Sequence, residues 1–122
     1  MPTFEPLDPG FPVARQVDID AGPIVMINLC TMAPADEDAF LAAWAEDARF
    51  MKLQPGFIST QLHRAIGDNP TYFNYAVFES VVAWRDAFNH PEFRERLKAH
   101  SPSVTARPHL FEKVAVPGLC TA

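Results

Sequence analysis

A chain of 122 residues is enough for one domain and hardly more, and a domain of that size buries roughly two-thirds of its unfolded surface, sufficient for a hydrophobic core. Hydrophobic residues make up 48% and charged residues 20%, the composition of a soluble globular protein, and no run approaches the ~18 apolar residues of a membrane helix. A formal net charge of -5, with the basic residues scattered, argues against nucleic acid as a partner, because phosphate binding needs a basic face.

The opening MPTFEPLDPG has neither a basic stretch nor an apolar one and does not read as a secretory signal. Residues 1–22 carry Pro2, Pro6, Pro9 and Pro12, which fix φ and remove backbone donors. They are expected to form an extended arm, lying on the chain's own surface or crossing to a partner, with a single domain over residues 23–122. Ile24 to Met32 (IVMINLCTM) reads as a buried strand. Pro34 and Asp36 open a helix with Asp36, Glu37 and Asp38 at its positive end. Its apolar stripe is Phe40, Leu41, Trp44, Ala48 and Met51, and Gln54-Pro55-Gly56 ends it.

Phe57 to Arg64 alternates as a second strand, Gly67 to Pro70 turns the chain, and Thr71 to Glu79 returns as a third strand to complete a hairpin. Ser80 is placed to cap a helix with Val81, Trp84 and Phe88 inward. Asn89-His90-Pro91 interrupts it, with His90 as cap and Pro91 in the first turn of a further helical segment carrying Phe93 and Leu97. After Ser101-Pro102 a fourth strand is expected over roughly Leu110 to Val116, leaving Arg107 and His109 before it in solvent. The order β-α-β-β-α-β predicts an α+β, ferredoxin-like fold with a four-stranded antiparallel sheet. Cys30 and Cys120 are far apart and in no CxxC pair, so they read as free thiols of a reducing cytoplasm, and no closely spaced ligand set suggests a structural metal.

Alternation divides the first three strands into two faces. One carries Val25, Ile27, Leu29, Ile58, Thr60, Leu62, Phe73, Tyr75 and Val77. The other carries Met26, Asn28, Cys30, Phe57, Ser59, Gln61, His63, Tyr72, Asn74, Ala76 and Phe78. Two helices cover only one face, and an open apolar sheet face is what a two-fold homodimer hides. The polar groups of the second set, placed beneath the helices, must pair, hold water or line a pocket, since each left unsatisfied costs about 1–3 kcal/mol. A partly apolar cavity with a few convergent polar groups is the usual form of a small-molecule site.

The segments QPGFISTQLHR, YFNYAVFES and AWRDAFNHPEFRERL, in that order, resemble the antibiotic biosynthesis monooxygenase family over about residues 23–116. That resemblance implies a dimeric α/β barrel and a choice of activities, from quinone-forming oxygenases without a cofactor to haem-degrading enzymes. The haem-degrading pattern is matched at Asn28, but Ala87 stands at its Trp position and Leu97 at its His position, which leaves no evident axial ligand. The quinone-forming pattern is matched by His63 and Asn74, with Phe78 in place of a Trp and Trp84 in place of a Tyr.

The implied chemistry needs no metal or flavin, because an electron-rich phenolate or carbanion reduces O2 itself. The expected catalytic residues are His63, as the base, and Asn74, as a donor to the developing oxyanion. Asn28, Tyr72, Phe78 and Trp84 are expected to bind an aromatic, quinol- or anthrone-like substrate. Beside these roles stand plainer ones: His63 as a solvated hairpin residue, Asn28 and Asn74 paired with each other or with backbone, and Trp44 and Trp84 as core. Two other functions remain open, a cyclase-like or ligand-binding protein for aromatic molecules, and a haem protein.

Overall fold

In the computed structural model, which describes residues 1–122, the strands are β1 (Thr3–Phe4), β2 (Ile24–Thr31), β3 (Phe57–Arg64), β4 (Tyr72–Phe78) and β5 (Thr105–Phe111), and the helices are α1 (Glu37–Lys52), α2 (Val81–Phe88) and α3 (Pro91–Leu97). The sheet order is β1-β5-β2-β4-β3. β2, β3, β4 and β5 pair antiparallel in the ferredoxin-like arrangement. The expectation of four strands is corrected by the arm. Thr3 N–H donates to Val104 O at 2.8 Å and Glu5 N–H to Ala106 O at 3.0 Å, adding β1 parallel to β5 and making the sheet mixed. Pro2 and Pro6 flank this pairing and confine it to two residues. Within the single chain the start of the arm thus extends the sheet at β5. No helix is long and apolar enough to cross a membrane.

The last strand lies at Thr105–Phe111, earlier than the Leu110–Val116 expected from sequence. Pro108 lies within it, and the edge it faces explains its presence. The backbone of Ala106 points toward β1, and the N–H and C=O of Leu110, two residues past Pro108, bond the Gln16 side chain at 3.0 and 2.9 Å. Pro108 thus turns its missing donor to the outer edge, beyond the short β1. His109 turns the other way and is buried rather than solvated. Arg107, also expected in solvent, is half-buried and bonds Glu5 at 3.1 Å.

A third correction concerns β3. Phe57 pairs with Phe78, but Ser59 pairs with Val77, so one residue is inserted between them. Because side chains alternate with period two, this bulge reverses the facing of everything after it. Thr60 and Leu62 turn under the helices, and Ser59, Gln61 and His63 turn out.

Local chemistry fixes the elements that roof the sheet. Ser80 Oγ accepts from Ala83 N–H at 3.1 Å to cap α2, and His90 Nδ1 accepts from Glu92 N–H at 3.1 Å to cap α3. Gly56, at φ +83°, makes the turn from α1 into β3. The covered face holds three apolar clusters. One is centred on Trp84, Phe78 and Ile24, a second on Phe40, Tyr72 and Val104, and a third on Phe50, Phe93 and Leu97.

Candidate active site

Between these clusters the covered face of the sheet leaves a partly open cavity, and 16 of its 23 lining residues are hydrophobic. β2 supplies Asn28 and Cys30 to its wall, β4 supplies Asn74 and Phe78, and β3 supplies Thr60. Trp84 of α2 closes another side, 1% exposed and stacked on Phe88 at 4.8 Å. The arm takes part as well, since Pro2 and Phe4 line the cavity and Phe4 packs edge-on against Phe88 at 5.7 Å.

Asn28 and Asn74 face each other across the β2–β4 ladder but do not pair. Asn74 Oδ1 instead accepts the Thr60 hydroxyl at 2.5 Å, which leaves the Asn74 amide N–H groups free of any protein acceptor. Asn28 Oδ1 is buried with no partner. Two amides with spare hydrogen-bonding capacity on an apolar wall are suited to hold and polarise a ligand oxygen.

Of the six residues singled out by sequence, Asn28, Asn74, Phe78 and Trp84 meet in this cavity, and His63 and Tyr72 do not line it. The β3 bulge places His63 on the open face, stacked on Phe73 with centroids 4.3 Å apart. Tyr72 is buried but belongs to the Phe40 cluster, and its hydroxyl donates to the Glu37 carboxylate. Burial first, and then that bond, push the Tyr72 hydroxyl above its ordinary range. The same carboxylate accepts from Arg64 Nε at 2.6 Å, and the Arg64 and Tyr72 hydrogen bonds hold Glu37 below the usual carboxylate range. This trio ties α1 to β3 and β4. The Cys30 thiol is pushed up to about 12, chiefly by burial, so it stays protonated near neutral pH.

Sequence reasoning missed Asp47 and His100, which also line the cavity. They are 9% and 6% exposed, and His100 Nε2 lies 2.7 Å from Asp47 Oδ2. One signal was present: Phe40, Ala43, Asp47 and Phe50 fall at helical spacing on a single face of α1, so a carboxylate interrupts an apolar stripe. Its partner, 53 residues away, could not be read from spacing. Trp44, read as core, lines the cavity too.

The profile of the family described as antibiotic biosynthesis monooxygenase matches residues 23–99. Among solved structures, SnoaB from Streptomyces nogalater, a cofactor-independent oxygenase, superposes with a TM-score of 0.70 at 29% identity, over 80% of this chain and 99% of SnoaB. A protein from Shewanella loihica assigned as a monooxygenase gives 0.67 at 25% identity, over 80% and 99% of the two chains. A Bordetella bronchiseptica protein assigned to antibiotic biosynthesis monooxygenases gives 0.65 at 24% identity, over 78% and 100%, a likeness of fold. No curated protein matches significantly.

Proposed function

The chain belongs to the antibiotic biosynthesis monooxygenase family, and from that membership we propose that it is a cofactor-independent monooxygenase of a flat phenolic molecule, quinol- or anthrone-like, which it oxidises directly with O2. The observation that carries the reading is the apolar cavity whose sheet wall presents two adjacent amides with unused hydrogen-bonding capacity. In the simplest such reaction a ring CH2 between aromatic rings becomes a carbonyl: R2CH2 and O2 give R2CO and H2O. The electrons come from the ionised substrate, so the protein has three tasks: to hold the ring, to favour the anion and to exclude water.

Each task has residues suited to it. Phe78 and Trp84 offer flat walls for the ring. Asn74, oriented by Thr60, donates to the phenolate oxygen, and Asn28 stands beside it as a second polar contact. Tyr72 acts at a distance by fixing α1 to the sheet, and His63 has no part in the cavity's chemistry. A second copy of the chain is proposed to cover the open sheet face, where the aromatic side chains of Phe73, Tyr75 and Phe111 are exposed.

The test is O2 consumption with a panel of phenols, quinols and anthrones, with no metal or flavin added. Uptake stoichiometric with product is expected for at least one flat polycyclic member. Tight binding across the panel with no O2 consumed would reassign the protein as a non-redox aromatic-binding protein.

A further inference from the structure

A carboxylate within the apolar stripe of a helix needs a reason, because an unpaired buried charge is strongly disfavoured. Asp47 has Phe40, Ala43 and Phe50 as its stripe neighbours, and its one partner is His100. His100 is itself held on several sides. Its N–H bonds the end of α3 at Leu97 O, its ring packs at 5.8 Å from Phe40, and the next residue, Ser101, donates to Asp36 at 2.9 Å. A carboxylate at Nε2 selects the tautomer with the proton on Nε2, so Nδ1 carries the free lone pair. That Nδ1 is buried and has no protein partner.

Five buried side-chain polar atoms in the chain have no partner, and three of them, Asn28 Oδ1, Asp47 Oδ1 and His100 Nδ1, belong to residues lining this one cavity. A pair whose only task was to tie α1 to the segment after α3 leaves no use for the unpartnered imidazole nitrogen of a residue beside the cavity. Resting on the oxygenase reading, we propose that His100 is the general base that takes the phenolic proton of the bound substrate, with Asp47 as its positioning residue.

The step is a simple proton transfer. The substrate O–H bond breaks, an N–H bond forms at His100 Nδ1, and the electron pair stays on the oxygen. The imidazolium formed is neutralised by the Asp47 carboxylate, and the phenolate faces the amides on the sheet wall. Cys30, the remaining ionisable side chain on the wall, keeps its proton because burial pushes its thiol up to about 12. The carboxylate–imidazole–lone-pair order has the logic of a hydrolase triad, turned here to deprotonating a phenol.

The probe is 2-hydroxyanthraquinone, a flat phenol whose neutral and ionised forms differ in colour, added without O2 at a pH where the free dye is neutral. The wild type is expected to bind it with the phenolate spectrum, and His100→Gln to bind it as the neutral phenol. Turnover of the best substrate falls at least about 100-fold in His100→Gln. Asp47→Asn keeps the shape of the pair and removes its charge. It is expected to lose most of the phenolate colour and about tenfold in turnover, with dye affinity within about threefold of wild type. Circular dichroism reports whether each variant is folded. A phenolate spectrum that survives in folded His100→Gln, or full turnover in that variant, overturns the assignment of the base. Dye ionised in a His100-dependent way, with no O2 uptake on any substrate, overturns the oxygenase reading instead. A wild type that binds the dye only as the neutral phenol, or not at all, overturns the proposal directly.

Discussion

Asn74 has its acceptor oxygen occupied and its donors free, a state set by one hydroxyl, that of Thr60. Asn74→Ala is therefore expected to lower turnover about 100-fold with a smaller change in KM, as loss of a donor to a developing oxyanion does. Thr60→Val should cost about tenfold, since the amide remains but is no longer held. Steady-state O2 uptake measures both, and a raised KM with kcat unchanged would make Asn74 a simple binding group. Glu37 gives a prediction in pH. Its carboxyl is held below the ordinary value of 4.5 by Arg64 and Tyr72, so its stabilisation is fully present above that value and is lost as pH falls through the lower folded one. Glu37→Gln should thus lower the urea midpoint at neutral pH, and the gap to wild type should close in acid. A gap that persists in strong acid would trace the loss to packing rather than charge.

Elements explain which of these residues could be read in advance. β2 and β4 alternate without interruption, so Asn28, Asn74 and Phe78 fall on one face by counting in twos. β3 contains a bulge that no residue type announces, and counting through it put His63 on the wrong face. The last strand begins earlier than expected, and the Pro108 within it is tolerated only because its missing donor faces the outer edge, which folding alone reveals. The Asp47–His100 pair joins elements that meet only in the folded chain. The turn into β3, which sets where the bulge begins, depends on Gly56. Its φ is +83°, and an added Cβ would come within 2.5 Å of Ala83 Cβ. Gly56→Ala is expected to destabilise the fold by about 1–3 kcal/mol. Gly67, at φ +95° with open space around it, isolates the backbone share of that cost. Gly67→Ala should be the milder change, at about 1 kcal/mol. Urea denaturation of both variants checks the order, and equal losses would show that the contact with Ala83 relaxes freely.

At the scale of the molecule, the sheet separates two chemistries. The covered face holds the cavity. The open face carries Ile27, Leu29, Phe73 and Tyr75 in register across β2 and β4, with Phe111 beyond them on β5. Phe73 and Tyr75 are each 37% exposed despite lying mid-strand. His109, in register with Ile27 on this same face, is buried and its Nδ1 has no partner within the chain. An apolar sheet face with exposed aromatics at its centre fits a surface that a second copy covers, and a stable interface needs about 800 Å² from each partner. The wild type is then expected to run in light scattering at twice the 13.6 kDa of the chain. Tyr75→Glu places a charge at the middle of that face and should give a monomer. Because alternation points Tyr75 away from the cavity, the same variant should still bind a flat phenol, with affinity reduced only as far as pairing steadies the sheet. A wild type that is monomeric at micromolar concentration would remove the pairing and leave the cavity's chemistry to a single subunit. A Tyr75→Glu monomer that has lost the phenol altogether would show that the cavity depends on the partner for its shape.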